Sequence, residues 1–96
     1  MDEPITSAQA LHWGLVTKVV KDGVARQAAR AMLTQMAERS IHSFAWSKKL
    51  LTDSFATSFE AQIEMERMVL SICADHPDGQ EGLKAFSEKR KPNFGA

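Results

Sequence analysis

Phe86 and Lys89 stand three residues apart, on one face of whatever helix carries them. A ring offers a flat apolar wall to a base, and an ammonium offers charge to a phosphate. The pair would therefore suit a nucleotide-bearing ligand. The cations Lys89-Arg90-Lys91 also fall where a helix should end. Positive charge there is favoured by the helix macrodipole by about 0.3–1 kcal/mol, which is by itself a sufficient structural reason for them. On residue type alone both explanations stand.

Other candidate chemistry is thinner. His12, His42 and His76 lie on three separate segments, none at metal-ligand spacing from another His or from a Cys, so no metal site is expected. Glu60, Glu64 and Glu66 could be imagined as a general acid and base, but carboxylates so spaced ordinarily mark a solvated helix face. Ser40, Ser43 and His42 read as capping and surface residues before they read as nucleophile and base. Gly14, Gly23, Gly79, Gly82 and Gly95 are scattered, so there is no phosphate-cradling loop. Cys73 cannot form a disulfide within the chain and, set among Leu70, Ile72 and Ala74, reads as a buried inert thiol. No catalytic residue is expected among these 96.

The elements that would position Phe86 and Lys89 are mostly helical. Thr6-Ser7-Ala8-Gln9 is a capping box opening a first helix of about two turns, closed by Gly14 as a left-handed cap. Leu15 to Val20 is rich in β-branched residues between Gly14 and Asp22-Gly23 and reads as one short strand. A lone strand has no partner for its backbone groups, which suggests that the chain belongs to something larger. Asp22 is placed to cap a second helix, with Val24, Ala25, Ala28, Ala29, Met32, Leu33, Met36 and Ala37 at helical spacing. Ser40 is placed to cap a third, with Ile41, Phe44, Ala45, Leu51 and Phe55 on one face and Trp46 and Leu50 on a neighbouring one. Thr57-Ser58-Phe59-Glu60 reads as a second capping box, opening a helix to about Ala74 with Phe59, Ile63, Val69, Leu70, Ile72 and Cys73 as its stripe. His76-Pro77-Asp78-Gly79 interrupts the pattern, Asp78 is placed to cap a last helix through Lys89 or Arg90, and residues 91–96 form a loose tail. The expected fold is a mainly α, small orthogonal bundle of about five helices with one short strand, forming a single helical domain over 1–96.

Composition narrows the function classes. Twelve basic residues balance twelve acidic ones, so there is no general attraction to nucleic acid or to an anionic membrane. No apolar run approaches the roughly 20 residues that span a bilayer. Met1-Asp2-Glu3-Pro4 is acidic and does not read as a signal peptide, so a cytoplasmic location is expected. Apolar stripes on several helix faces of so short a chain predict self-association.

Pro4-Ile5-Thr6-Ser7-Ala8-Gln9-Ala10-Leu11-His12-Trp13-Gly14-Leu15-Val16-Thr17-Lys18-Val19-Val20, then Lys48-Lys49-Leu50-Leu51, then Glu81-Gly82-Leu83-Lys84-Ala85-Phe86-Ser87-Glu88-Lys89-Arg90-Lys91-Pro92-Asn93-Phe94 resemble the C-terminal region of the enoyl-CoA hydratase/isomerase, or crotonase, superfamily. The resemblance covers essentially the whole chain. It implies a helical segment that closes over an acyl-CoA site and builds a homo-oligomer, and it carries Phe86 and Lys89 onto the family's tail residues that meet the coenzyme A moiety. It also implies that the oxyanion-hole amides and catalytic carboxylates lie upstream of the region matching Ile5, so this chain alone should be inactive. The family's chain runs on ahead of the region matching Asp2; a shortened chain, a fragment and an internal start all fit. Two other readings are a free-standing, non-catalytic helical oligomerisation module and an intact enzyme with a small site among the histidines and glutamates.

Overall fold

The computed structural model describes residues 2–95. Five helices follow one another: α1 Ser7–His12, α2 Ala25–Ala37, α3 Ile41–Asp53, α4 Phe59–Asp75 and α5 Pro77–Ser87. Backbone proximity divides the chain into two units, Met1–Thr34 and Gln35–Ala96. No helix among the described residues is long and apolar enough to cross a membrane.

In the first unit α1 opens as its residues dictate. The Thr6 hydroxyl accepts the Gln9 N–H at 3.1 Å while the Gln9 side chain accepts the Thr6 N–H at 2.9 Å. Gly14, at φ +74°, closes it: its N–H donates to the Leu11 carbonyl at 3.1 Å and the Leu15 N–H to Ala10 at 2.9 Å. This is the paired-bond helix ending that places one residue in the left-handed region, where glycine has no Cβ penalty.

The strand expected at Leu15 to Val20 does not form, and those residues are irregular. A strand is defined by its ladder, and among the described residues no second strand exists to pair with it. Thr17, Lys18 and Val20 instead line, with Ala25, Ala28, Ala29 and Met32 of α2, a cavity of about 240 Å³. The start of α2 is also displaced from expectation. Asp22 and Gly23 lie in a turn whose Val24 N–H donates to the Lys21 carbonyl at 3.3 Å, and the helix begins at Ala25.

In the second unit α4 packs against α3 on one side and α5 on the other. Ser40 caps α3 as expected, its hydroxyl accepting the Ser43 N–H at 3.2 Å. The cap of α4 is Ser58, one residue beyond Thr57, with the Ser58 hydroxyl accepting the Ala61 N–H at 3.2 Å. Thr57 is used differently: its hydroxyl donates to the Asp53 carbonyl at the end of α3 and is 3.1 Å from the Gln62 side chain. Gln62 in turn donates to the Leu50 carbonyl at 3.1 Å, so the α3–α4 turn is fastened from both helices. The cap of α5 is His76 in place of Asp78, its Nδ1 accepting the Asp78 N–H at 3.1 Å. Pro77 explains the shift, because a fixed φ and a missing N–H suit the first helical position, which puts the cap at the residue before it, two ahead of Asp78.

The inner faces are the smaller ones. Trp46 and Leu50 of α3, with Val69 and Cys73 of α4, line one shallow depression, and Cys73 is half-buried. Only Ala10, Val69 and Ala85 are buried apolar residues among those described. The larger stripes face outward: Leu51 is 69% exposed, Phe55 94%, Phe59 75% and Leu70 71%. Covering a large apolar side chain stabilises by about 1.5–3 kcal/mol, so these four alone represent on the order of 10 kcal/mol left unrealised.

Candidate functional site

Phe86 lies in the last turn of α5, and Lys89 follows two residues beyond its end. The helix stops at Ser87, with Glu88 as its cap, short of the expected Lys89 or Arg90. The cause is Lys89, which sits at φ +54°. Its N–H donates to the Phe86 carbonyl at 3.2 Å and the Arg90 N–H donates to Ala85 at 3.0 Å. This is the bonding pattern seen at Gly14, with lysine occupying the glycine position. An L-residue in that region costs about 1 kcal/mol or more, a cost glycine avoids. Phe86 is 86% exposed and Lys89 is exposed. One helix end thus presents an open ring and a cation held at a fixed turn.

The turn is braced by Arg90, read from the sequence only as a helix-end cation, and by partners that spacing did not pair with it. The Arg90 guanidinium donates twice to Glu81, at 2.6 and 3.0 Å, and its Nε donates to Glu88 at 2.6 Å. Glu81 also accepts the Asn93 N–H at 2.8 Å. The Arg90 bonds first, and the Asn93 N–H second, draw the Glu81 carboxyl from 4.5 down to about 2, while the Glu81 and Glu88 carboxylates push Arg90 up. Since the folded value of Glu81 lies below its unfolded one, its contribution is complete above about pH 4.5 and is lost as pH falls through about 2. Ordinary acidity leaves the brace closed. Beyond it, Lys91 pairs with Glu38 at 3.2 Å, and Phe94 lies beside Gly82, where an added Cβ would be 3.9 Å from its ring. The segment 91–95 therefore carries specific contacts back to the helices. Arg90 and Glu81 are nine residues apart, so no helical spacing rule points to the pair.

The remaining candidates resolve into structural roles. His42 and His76 are brought together, their rings stacked with centroids 3.8 Å apart and planes 7° from parallel, although they lie on distant segments. His42 Nε2 is buried with no hydrogen-bond partner. Ser40, the one buried polar residue among those described, donates to Asp78 at 2.7 Å and so ties the start of α3 to the start of α5. The order is serine to carboxylate, with no serine–histidine bond, so the nucleophile and base of an acyl-transfer site are not assembled here. Glu64 is taken up by Arg67, at 2.6 and 3.0 Å, and is lowered by that bond; Glu66 accepts from Gln62 at 3.2 Å. Among the described residues no three His, Cys, Asp or Glu side chains converge as metal ligands.

The enoyl-CoA hydratase/isomerase family matches residues 1–96, and this chain belongs to it. A probable enoyl-CoA hydratase of Bacillus subtilis is 34% identical over 93 residues, covering 96% of this chain and 36% of the relative. The 2,3-dehydroadipyl-CoA hydratase of Escherichia coli is 32% identical, again over 96% of this chain and 36% of the relative. The crystal structure of an enoyl-CoA hydratase from Polaromonas sp. JS666 superimposes with a TM-score of 0.90 at 31% identity, covering 95% of this chain and 35% of that one. The chain thus spans a little over a third of the length of the relatives it matches.

Proposed function

We propose that this chain is the C-terminal helical part of an enoyl-CoA hydratase/isomerase-type protein acting in the cytoplasm on an acyl-CoA thioester. In this reading it helps to assemble subunits and forms part of the surface that receives the coenzyme A moiety. It does not itself make or break bonds. The observation that carries the reading is an exposed Phe86 ring in the last turn of α5, followed by a Lys89 in the left-handed region, in a chain that matches the family throughout. The relatives' names, hydratases of CoA esters, supply the ligand class.

Each residue has a task in this scheme. The Lys89 ammonium bonds a phosphate of the coenzyme with charge-assisted strength, and the Phe86 ring walls off the apolar side. Hydration or isomerisation also needs donors aimed at the thioester oxygen as it gains charge. In this reading those donors come from the part of the protein outside this stretch. Combining the chain with the remaining two-thirds of a related hydratase and titrating with coenzyme A tests the ligand role. Lys89→Ala should weaken binding about tenfold, the usual worth of one hydrogen bond to a charged group. Unchanged affinity would remove Lys89 from the site.

The assembly role rests on outward apolar residues of α3, α4 and the turn between them, where Leu51, Phe55, Phe59 and Leu70 are all more than two-thirds exposed. A surface of this kind is normally covered. Sedimentation velocity of the chain alone should give a mass above 10.7 kDa, that of a dimer or trimer, at micromolar concentration. A monomer throughout that range would contradict the role.

A further inference from the structure

Lysine holds a backbone conformation at residue 89 that glycine holds at residue 14, although both turns carry the same pair of hydrogen bonds. Something beyond those two bonds must keep the lysine in place. Three contacts converge on the segment that follows it, and all three end on one carboxylate: two from Arg90, at 2.6 and 3.0 Å, and one from the Asn93 N–H at 2.8 Å. Glu81 stands on the second turn of α5, within the helix, so it ties the returning chain to a rigid element.

We infer that Glu81 is a positioning residue, which fixes the path of residues 88–93 and thereby aims the Lys89 ammonium. This rests on the reading of Lys89 as a coenzyme A contact. The inference is mechanical. Residues 90 and 93 flank the short path out of the turn, and anchoring both leaves Lys89 little freedom to rotate its φ back to negative values. An unanchored lysine would relax toward ordinary backbone and carry its ammonium elsewhere. The carboxylate is held well below the ordinary range, so the anchor stays charged wherever the protein is folded near neutrality. Glu88 contributes one bond to Arg90 but leaves Asn93 untouched, so it cannot substitute.

The test combines two readouts on the same variants. Amide hydrogen exchange of the chain reports whether Arg90 and Asn93 lose protection in Glu81→Ala. Coenzyme A affinity, in the combination with the rest of a related hydratase, reports whether the ammonium has moved. The expected result is lost protection at Asn93 and affinity about tenfold weaker, with no further loss when Lys89→Ala is added, since both changes remove the same contact. Glu81→Gln serves if Glu81→Ala does not fold: it keeps an oxygen for the Asn93 N–H, loses the charge facing Arg90, and should show the same non-additivity in smaller degree. Retained protection in Glu81→Ala overturns the inference. So do affinity losses from Glu81→Ala and Lys89→Ala that simply multiply, because Glu81 would then act on something other than Lys89. Failure of the underlying reading is distinct: Lys89→Ala alone would bind coenzyme A as the parent does, and the inference would fall with it.

Discussion

Gly79→Ala is expected to cost at least about 2 kcal/mol of stability, while the same change three residues away at Gly82 is expected to be neutral or stabilising by up to about 1 kcal/mol. Both glycines lie in α5, so helix propensity favours alanine at each. Space decides the sign. A Cβ on Gly79 would stand 2.0 Å from the Cys73 carbonyl oxygen and 2.9 Å from the Ala74 Cα. Those are backbone atoms of the end of α4, and no rotamer change can withdraw them. To admit the methyl group, α5 must shift away from α4, which disturbs the buried Ala85 and the Ser40–Asp78 bond together. At Gly82 the nearest atoms are on the Phe94 ring, at 3.9 and 4.0 Å, an ordinary contact. Urea denaturation of the two variants and the parent at one protein concentration separates the cases. A Gly79→Ala chain as stable as Gly82→Ala would mean that the α4–α5 approach is looser than described.

The sequence made the helices legible where side chains bond to their own helix. Thr6 with Gln9, Gly14 after α1 and Ser40 before α3 each act within three or four residues of where they stand, and spacing alone reveals such partners. It was less informative wherever two local signals compete. Thr57 and Ser58 are adjacent and both suited to capping; the choice went to Ser58 because Thr57 is claimed by Asp53 and Gln62. Asp78 is a good cap by type, but Pro77 sets the helix start and leaves the carboxylate for Ser40. The strand read into Leu15 to Val20 failed for a further reason, since β-branched residues supply propensity and only a second strand supplies the ladder.

At the candidate site the sequence offered Phe86 and Lys89 as a proposed pair and read Arg90 only as a cation at a helix end. Phe86 and Lys89 were identifiable from residue type, helix position and family resemblance. Glu81, Arg90 and Asn93 act over nine to twelve residues across a chain reversal, and that reversal exists only because Lys89 adopts a conformation its residue type does not advertise. The stacked His42 and His76 were unreadable for the same reason, being joined by tertiary packing alone. In both cases the missing quantity is the path of the backbone between two elements, which depends on sums of contacts and not on any local pattern.

The largest effect concerns chemistry. Offered an unsaturated acyl-CoA, the chain by itself is expected to leave the double bond intact. Adding water to an enoyl thioester places negative charge on the carbonyl oxygen, and each preorganised donor aimed there is worth roughly a hundred- to a thousandfold in rate. Among the described residues the one buried polar residue is Ser40, already committed to Ser43 and Asp78. The cavity of about 240 Å³ lined by Thr17, Lys18, Val20 and α2 brings no acid and base together. In the proposed reading Lys89 and Phe86 hold a coenzyme, but holding the substrate and transition state equally does not lower the barrier between them.

The most direct measurement is therefore the loss of enoyl-thioester absorbance when crotonyl-CoA is mixed with the purified chain alone. The expected rate is indistinguishable from buffer, with hydration appearing only when the remaining two-thirds of a related hydratase is supplied. Turnover by these 96 residues without a companion, at the pace of an enzyme, would contradict it.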